Sequence, residues 1–155
     1  MTYDLRIDRI LDAPPDLVFD TIVDPAFADE IFNDQVEGWT VQRFEIDLRV
    51  GGTLSMEFGP REGGGPNDVL AYVFTEVDRP RRLAYDVTMY VSEWERTVQF
   101  AESVDLEGQD GKTLVTISAT GFESAADRDA FQSGIPGYVD AVQRVAERRA
   151  REGTS

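Results

Sequence analysis

What most constrains this chain is the order in which its hydrophobic period changes. From Tyr3 to Leu11, Tyr3, Leu5 and Ile7 alternate with Asp4, Arg6 and Asp8, the pattern of a strand with one buried face. Asp12-Ala13-Pro14-Pro15 ends that strand and opens a helix, because proline suits a first helical turn. Leu17, Val18, Phe19, Ile22 and Val23 then form a helical stripe. Asp24-Pro25 starts a second short helix, with Asp24 as its cap, carrying Phe27, Ile31 and Phe32. From Trp39 the period returns to two. Phe44, Ile46 and Leu48 lead to a turn at Gly51-Gly52, and Leu54, Met56 and Phe58 follow it.

Pro60 to Asp68 is a Gly/Pro-rich connection. Strands are expected at about Val69–Val77, Leu83–Val91, Trp94–Leu106 and Lys112–Thr120. Their turns fall at Asp78-Arg79-Pro80, Ser92-Glu93 and Gly108-Gln109-Asp110-Gly111. Ser124 reads as an N-cap. Beyond it Phe131, Ile135, Tyr138, Val142 and Val145 lie on one side of a long helix. Gly134-Ile135-Pro136-Gly137 is expected to kink or weaken that helix, and the arginine-rich tail after Glu147 to fray. One strand, two short helices, a run of antiparallel strands and one long helix make an α+β layout in a single domain over 1–155. A bent antiparallel sheet that wraps one helix packs well at one end and diverges at the other. The divergence leaves a cavity, the usual form of a small-molecule site.

Composition narrows the chemistry. At 155 residues the chain can bury roughly 68–70% of its unfolded surface without a disulfide or metal. It contains no cysteine, so thiol catalysis and thiolate metal sites are excluded. It contains no histidine, so no Ser-His-Asp triad and no histidine base can form. Acid–base work falls to Asp, Glu, Tyr, Lys, Arg or water. No cofactor or metal is expected: the acidic group Asp24, Asp29, Glu30 and Asp34 lacks the spacing, glycine and closing Glu of a calcium loop and reads as a solvated face. Gly63-Gly64-Gly65 lacks the Gly-Lys-Ser/Thr of a phosphate loop. A net charge of −15 argues against nucleic acid and anionic membrane surfaces as partners. Lys112, the one lysine beside fourteen arginines, sits next to Gly111 in an expected turn and is discounted as a Schiff-base residue. No run reaches the ~18 apolar residues of a membrane span, and the start lacks the apolar core of a signal peptide. The expected location is the cytoplasm.

Four stretches, in this order, carry a resemblance: Ala13-Pro14-Pro15-Asp16-Leu17-Val18-Phe19 with Asp24-Pro25; Asp47-Leu48-Arg49-Val50-Gly51-Gly52; Arg79-Pro80-Arg81-Arg82-Leu83; and the long helix from Ser124. Together they resemble the START-like (SRPBCC) superfamily, in the branch named after the activator of the heat-shock-protein-ninety ATPase, from Ile7 to about Arg149. The resemblance implies a helix-grip fold, a curved antiparallel sheet wrapped around a long C-terminal helix. It also implies an apolar cavity, with the Gly63–Gly65 loop at its entrance as a lid. Two departures stand out. Ile31-Phe32 takes the place of a tryptophan pair common in the branch, and Gly134-Ile135 that of a Gly-Trp. Losing indoles reshapes the cavity, so no relative's ligand is carried over.

The candidate ligand contacts begin with Trp39, Met56, Phe58, Tyr85 and Met89 on the strands. Trp94 and Phe100 follow, then Phe131, Ile135 and Tyr138 on the helix. Each alone reads as ordinary core; as a set, beside Gly134 and Gly137, they suit a cavity wall. Arg96 shares its parity with Phe100 and is expected on the concave face. There it clamps a ligand carboxylate or carbonyl, or pairs with an acidic neighbour such as Glu57 or Glu102, unless the strand's twist carries it to an edge. Glu57 and Asp86 alternate against apolar residues and read as solvated, whereas Glu102 shares Phe100's parity and faces inward unless a bulge there releases it. Among Tyr72, Tyr85, Tyr90 and Tyr138, Tyr138 is the favoured polar contact.

These residues support binding of a small hydrophobic or aromatic molecule. A second reading is an enzyme of the polyketide cyclase or aromatase kind, using Arg96, Glu102 and Tyr138. A third, suggested by the branch name, is a chaperone-activating interaction module. Tyr72, Phe74 and Tyr90, if outward, offer a homodimer patch on the convex face.

Overall fold

The computed structural model describes residues 3–32 and 37–153. Seven strands form one antiparallel sheet: β1 (Tyr3–Leu11), β2 (Trp39–Ile46), β3 (Thr53–Pro60), β4 (Asp68–Asp78), β5 (Arg82–Val91), β6 (Arg96–Gln109) and β7 (Lys112–Phe122). Their spatial order is β1-β7-β6-β5-β4-β3-β2. Between β1 and β2 lie α1 (Pro15–Val23), a single 3₁₀ turn (Pro25–Phe27) and α2 (Ala28–Phe32); α3 (Ala125–Gly153) closes the described chain. This is the expected α+β helix-grip arrangement.

Local chemistry sets the boundaries. Pro14 and Pro15 open α1, and Asp24 Oδ1 accepts from Ala26 N at 2.9 Å, capping the 3₁₀ turn that leads into α2. The β2–β3 connection needs its glycines: Gly51 has φ +82°, and a Cβ at Gly52 would lie 2.1 Å from the Asp47 carbonyl oxygen. Ser124 Oγ accepts from Asp127 N at 3.1 Å, the cap expected for α3.

The helix runs from Ala125 to Gly153 with Pro136 inside it. Two expectations are corrected. The arginine-rich end is not free. Arg148 pairs with Glu30, and Arg149 donates to Thr21 Oγ1 at 2.8 Å while its guanidinium lies 4.3 Å from the Phe27 ring centroid. These contacts lash the last turns of α3 onto α1 and α2. Finally, Trp94 is not on a strand. The β5–β6 turn takes four residues, with Trp94 N donating to Val91 O and Glu95 at φ 52°.

The C-terminal half of α3 buries Val139, Val142, Val145 and Ala146, and its closest backbone approaches are to β1, β7, α1 and α2. The middle strands are therefore left to be covered by side chains alone. The core runs from Leu11, Val18 and Phe19 through Phe122 to Phe74. No helix among the described residues is long and apolar enough to cross a membrane.

Candidate functional site

Where α3 stands off the sheet, a cavity of about 300 Å³ opens between its N-terminal half, the end of α2 and the concave faces of β3 to β6. That is at the small end of typical ligand pockets. Strand alternation places Met56 and Phe58 of β3, Leu70 and Tyr72 of β4, Tyr85, Val87 and Met89 of β5, and Phe100 and Glu102 of β6 on its wall. The helix side consists of Phe32 from α2 and of Ala130, Phe131, Gly134, Ile135 and Tyr138 from α3. A Cβ built on Gly134 meets nothing within 4 Å, so this glycine leaves the helix wall open. A crevice of about 20 Å³ continues from the tyrosines toward Ile22, Phe44, Leu83 and Phe74.

One polar group stands deep in this apolar wall. The Tyr85 hydroxyl donates to Glu102 Oε1, and the Tyr85 ring stacks on Tyr72 with centroids 4.3 Å apart and planes at 15°. Tyr138 approaches from the helix, its ring 5.4 Å from Phe32. Burial pushes the Glu102 carboxyl up to about 7, against the hydrogen bond from Tyr85, which pulls it down. Burial first, and the negative charge at Glu102 second, hold the phenols of Tyr72, Tyr85 and Tyr138 above their ordinary range. A carboxyl that changes protonation near neutrality, oriented by a phenol, can bind a hydrogen-bond partner or move a proton. The other acidic wall residue, Asp68, is engaged: its Oδ1 accepts from both Ser92 N and Ser92 Oγ at 2.8 Å. Among the described residues no arginine or lysine lines the cavity.

Nine of the candidate contacts lie on this wall: Met56, Phe58, Tyr85, Met89, Phe100, Glu102, Phe131, Ile135 and Tyr138. Three do not. Trp39 packs edge-on behind Phe58, with centroids 5.4 Å apart. Trp94, displaced by the longer turn, packs edge-on to Phe131 from outside at 6.3 Å. Arg96 keeps the parity of Phe100 but sits at the strand's first residue, opposite the first turn of α3. There it pairs through both terminal nitrogens with Asp127, which is only 5% exposed, and its guanidinium lies 5.1 Å from the Trp94 ring centroid. Its partner is thus neither Glu57 nor Glu102, and among the described residues no arginine or lysine stands in the cavity to clamp a ligand carboxylate.

Glu57 and Asp86 lie on the convex side, with Glu57 3.6 Å from Arg43. Tyr72 and Phe74 face inward, Phe74 almost fully buried, so of the three aromatics considered for a convex patch only Tyr90 is exposed. None of Gly63, Gly64 and Gly65 lines the cavity. In the acidic group, Asp24 is a cap, Glu30 holds Arg148, and Asp34 lies outside the described residues. Sequence reasoning missed Tyr72, Phe32 and Leu70 as wall residues. In β4 both faces are apolar from Val69 to Phe74, so parity carries no sign there.

With this geometry in hand, the comparison with known proteins is decisive for family. The model of the family described as "Activator of Hsp90 ATPase homolog 1-like protein" matches residues 12–147. The chain belongs to this family. Solved structures share the fold. Mll3558 protein from Rhizobium loti is 23% identical, with 93% of this chain and 96% of that one covered and a TM-score of 0.76. Protein CV1439 from Chromobacterium violaceum is 22% identical, with 93% and 97% covered and a TM-score of 0.77. An AHSA1-like protein from Aeromonas hydrophila is 20% identical, with 94% and 92% covered and a TM-score of 0.73. No curated protein matches the chain. Family membership and a shared fold do not by themselves fix a task.

Proposed function

We propose that the protein binds a small, mainly apolar molecule in the cavity between α3 and the sheet. The supporting observation is the half-buried Glu102, bonded to the buried Tyr85, at the wall of a mainly apolar space of about 300 Å³. A buried carboxyl costs stability unless something compensates it, and a leucine or methionine would fill this position better if the wall were only core. A carboxyl beside open space supports a ligand with one polar end directed at it. Native mass spectrometry of freshly purified protein, followed by denaturing extraction, tests this reading. The expected result is one small molecule released in near-stoichiometric amount. A set of small apolar probes that all fail to bind, with the apo mass alone observed, overturns it.

The protonation behaviour of Glu102 supports a second reading, proton transfer on the bound molecule. A carboxyl whose ionisation lies at about 7 is matched to general acid–base work at neutral pH. In such a step Glu102 takes a proton from carbon next to a ligand carbonyl, and the phenols of Tyr138 or Tyr72 donate to the enolate oxygen. Deuterium exchange at that carbon of a bound aromatic ketone, lost in Glu102→Gln, is the expected signature. Exchange no faster than in buffer dismisses catalysis and leaves binding intact.

A further inference from the structure

We propose that the occupant of this cavity is a lipophilic amine whose ammonium pairs with Glu102, and that carboxylic acids are rejected. The inference rests on the binding reading above and concerns the chemistry of the ligand's polar end. It follows from a charge inventory of the wall. The ionisable side chains there are two carboxyls, Glu102 and Asp68, and three phenols, with no arginine or lysine among the described residues. Arg96, the basic residue nearest in strand parity, is spent on Asp127 outside. A ligand carboxylate entering this space meets like charge and no counterion, so it must bind protonated or not at all.

An ammonium meets the opposite situation. Glu102 Oε1 already accepts from Tyr85, which leaves its other oxygen for a second donor. The phenol oxygens of Tyr72 and Tyr138, whose ionisation responds to the Glu102 charge, can also accept from an ammonium held there. The chain's net charge of −15 raises the local concentration of cations at any entrance. The groups facing Glu102 are Tyr85 from β5, Tyr72 from β4 and Tyr138 from α3. From β7 its register partner is Ala119, which does not titrate. The tyrosines stay neutral through the physiological range. Glu102 is therefore the group at the polar end that changes charge near pH 7.

The test uses three probes of one shape: 1-naphthylethylamine, 1-naphthaleneethanol and 1-naphthylacetic acid, titrated by calorimetry or ligand-observed NMR into the full chain. The amine is expected to bind roughly tenfold or more tighter than the alcohol, with the acid weakest. Its affinity should rise from pH 6 to pH 8 as Glu102 ionises. In Glu102→Gln, folded by circular dichroism, the amine should fall to the level of the alcohol. If that variant fails to fold, the wild-type pH profile decides alone. A preference for the alcohol or the acid, or amine binding that weakens as pH rises, overturns the inference while leaving the binding reading standing. Failure of all three probes overturns the binding reading, and this inference with it.

Discussion

Replacing Glu102 by Gln should change how stability depends on pH, in a direction opposite to that of an ordinary paired carboxylate. Glu102 ionises at about 7 in the folded protein against an ordinary 4.5, because the fold removes it from water. Between these values the folded state holds a proton that the unfolded chain has released. Stability therefore falls as pH rises through that window: the contribution is full below about pH 4.5 and lost by about pH 7. At about 1.36 kcal/mol per pH unit the loss is about 3 kcal/mol, a large share of the 5–15 kcal/mol typical of a domain. Glutamine keeps the shape and the acceptor for the Tyr85 hydroxyl but has no proton to lose. The assay is guanidinium unfolding of both proteins at pH 5, 6, 7 and 8, compared at equal m-value. Taking the difference between the two proteins cancels the other carboxylates, including Glu30, whose ion pair with Arg148 moves its ionisation the other way. The wild type is expected to lose about 2–3 kcal/mol relative to Glu102→Gln across this range. A difference that stays flat from pH 5 to pH 8 refutes the burial of an ionisable Glu102 and removes the basis for the polar end of the site.

Three further outcomes follow from the packing. Gly134→Ala should raise the melting temperature by roughly 2–4 °C, since a mid-helix glycine costs about 1 kcal/mol and the new methyl meets open space. Gly134→Trp should fill the same space and abolish probe binding while the protein stays folded by circular dichroism. Arg96→Met should lower the melting temperature, because it strands the buried Asp127 carboxylate, yet leave probe affinity unchanged, since Arg96 is outside the cavity. Phe122→Ala should cost about 3–5 kcal/mol in guanidinium unfolding, because the ring is fully buried in a three-ring cluster with Phe100 and Phe131.

Much of this site was legible in strand parity, and the misses share a cause. On β6 polar and apolar residues alternate cleanly, so Val98, Phe100 and Glu102 could be assigned to one face, and the structure has them there. On β4 the same rule is mute, because Val69, Leu70, Ala71, Tyr72, Val73 and Phe74 are apolar on both faces; it leaves Tyr72 open between a cavity wall and an outward patch, and the structure stacks it inside on Tyr85. The position of Trp94 depended on how many residues the β5–β6 turn consumes. That number is set by Glu95 adopting a left-handed conformation, for which a glutamate gives no sequence signal.

Arg96 and Glu102 show what parity cannot supply. Both project from the same face of β6, six residues apart. A strand rises about 3.3 Å per residue, so they lie roughly 20 Å from one another along the sheet. The first turn of α3 stands over the Arg96 end, where Asp127 can reach across and neutralise the guanidinium. The Glu102 end lies deeper, near Tyr138, beside Tyr85 of β5 and Tyr72 of β4 one strand further on, with no arginine or lysine in the wall among the described residues. Parity says which way a side chain points. What waits there depends on where the covering helix begins and how far it stands off, and these are set by Ser124 at one end and by the Arg148 and Arg149 lashings at the other. A substitution that loosens those lashings, such as Arg149→Ala, should let α3 shift relative to β3–β5 without touching any wall residue. Its expected signature is altered probe affinity with the Glu102 pH window intact. An affinity unchanged in Arg149→Ala, despite a lower melting temperature, would show that the cavity is shaped by its wall residues alone.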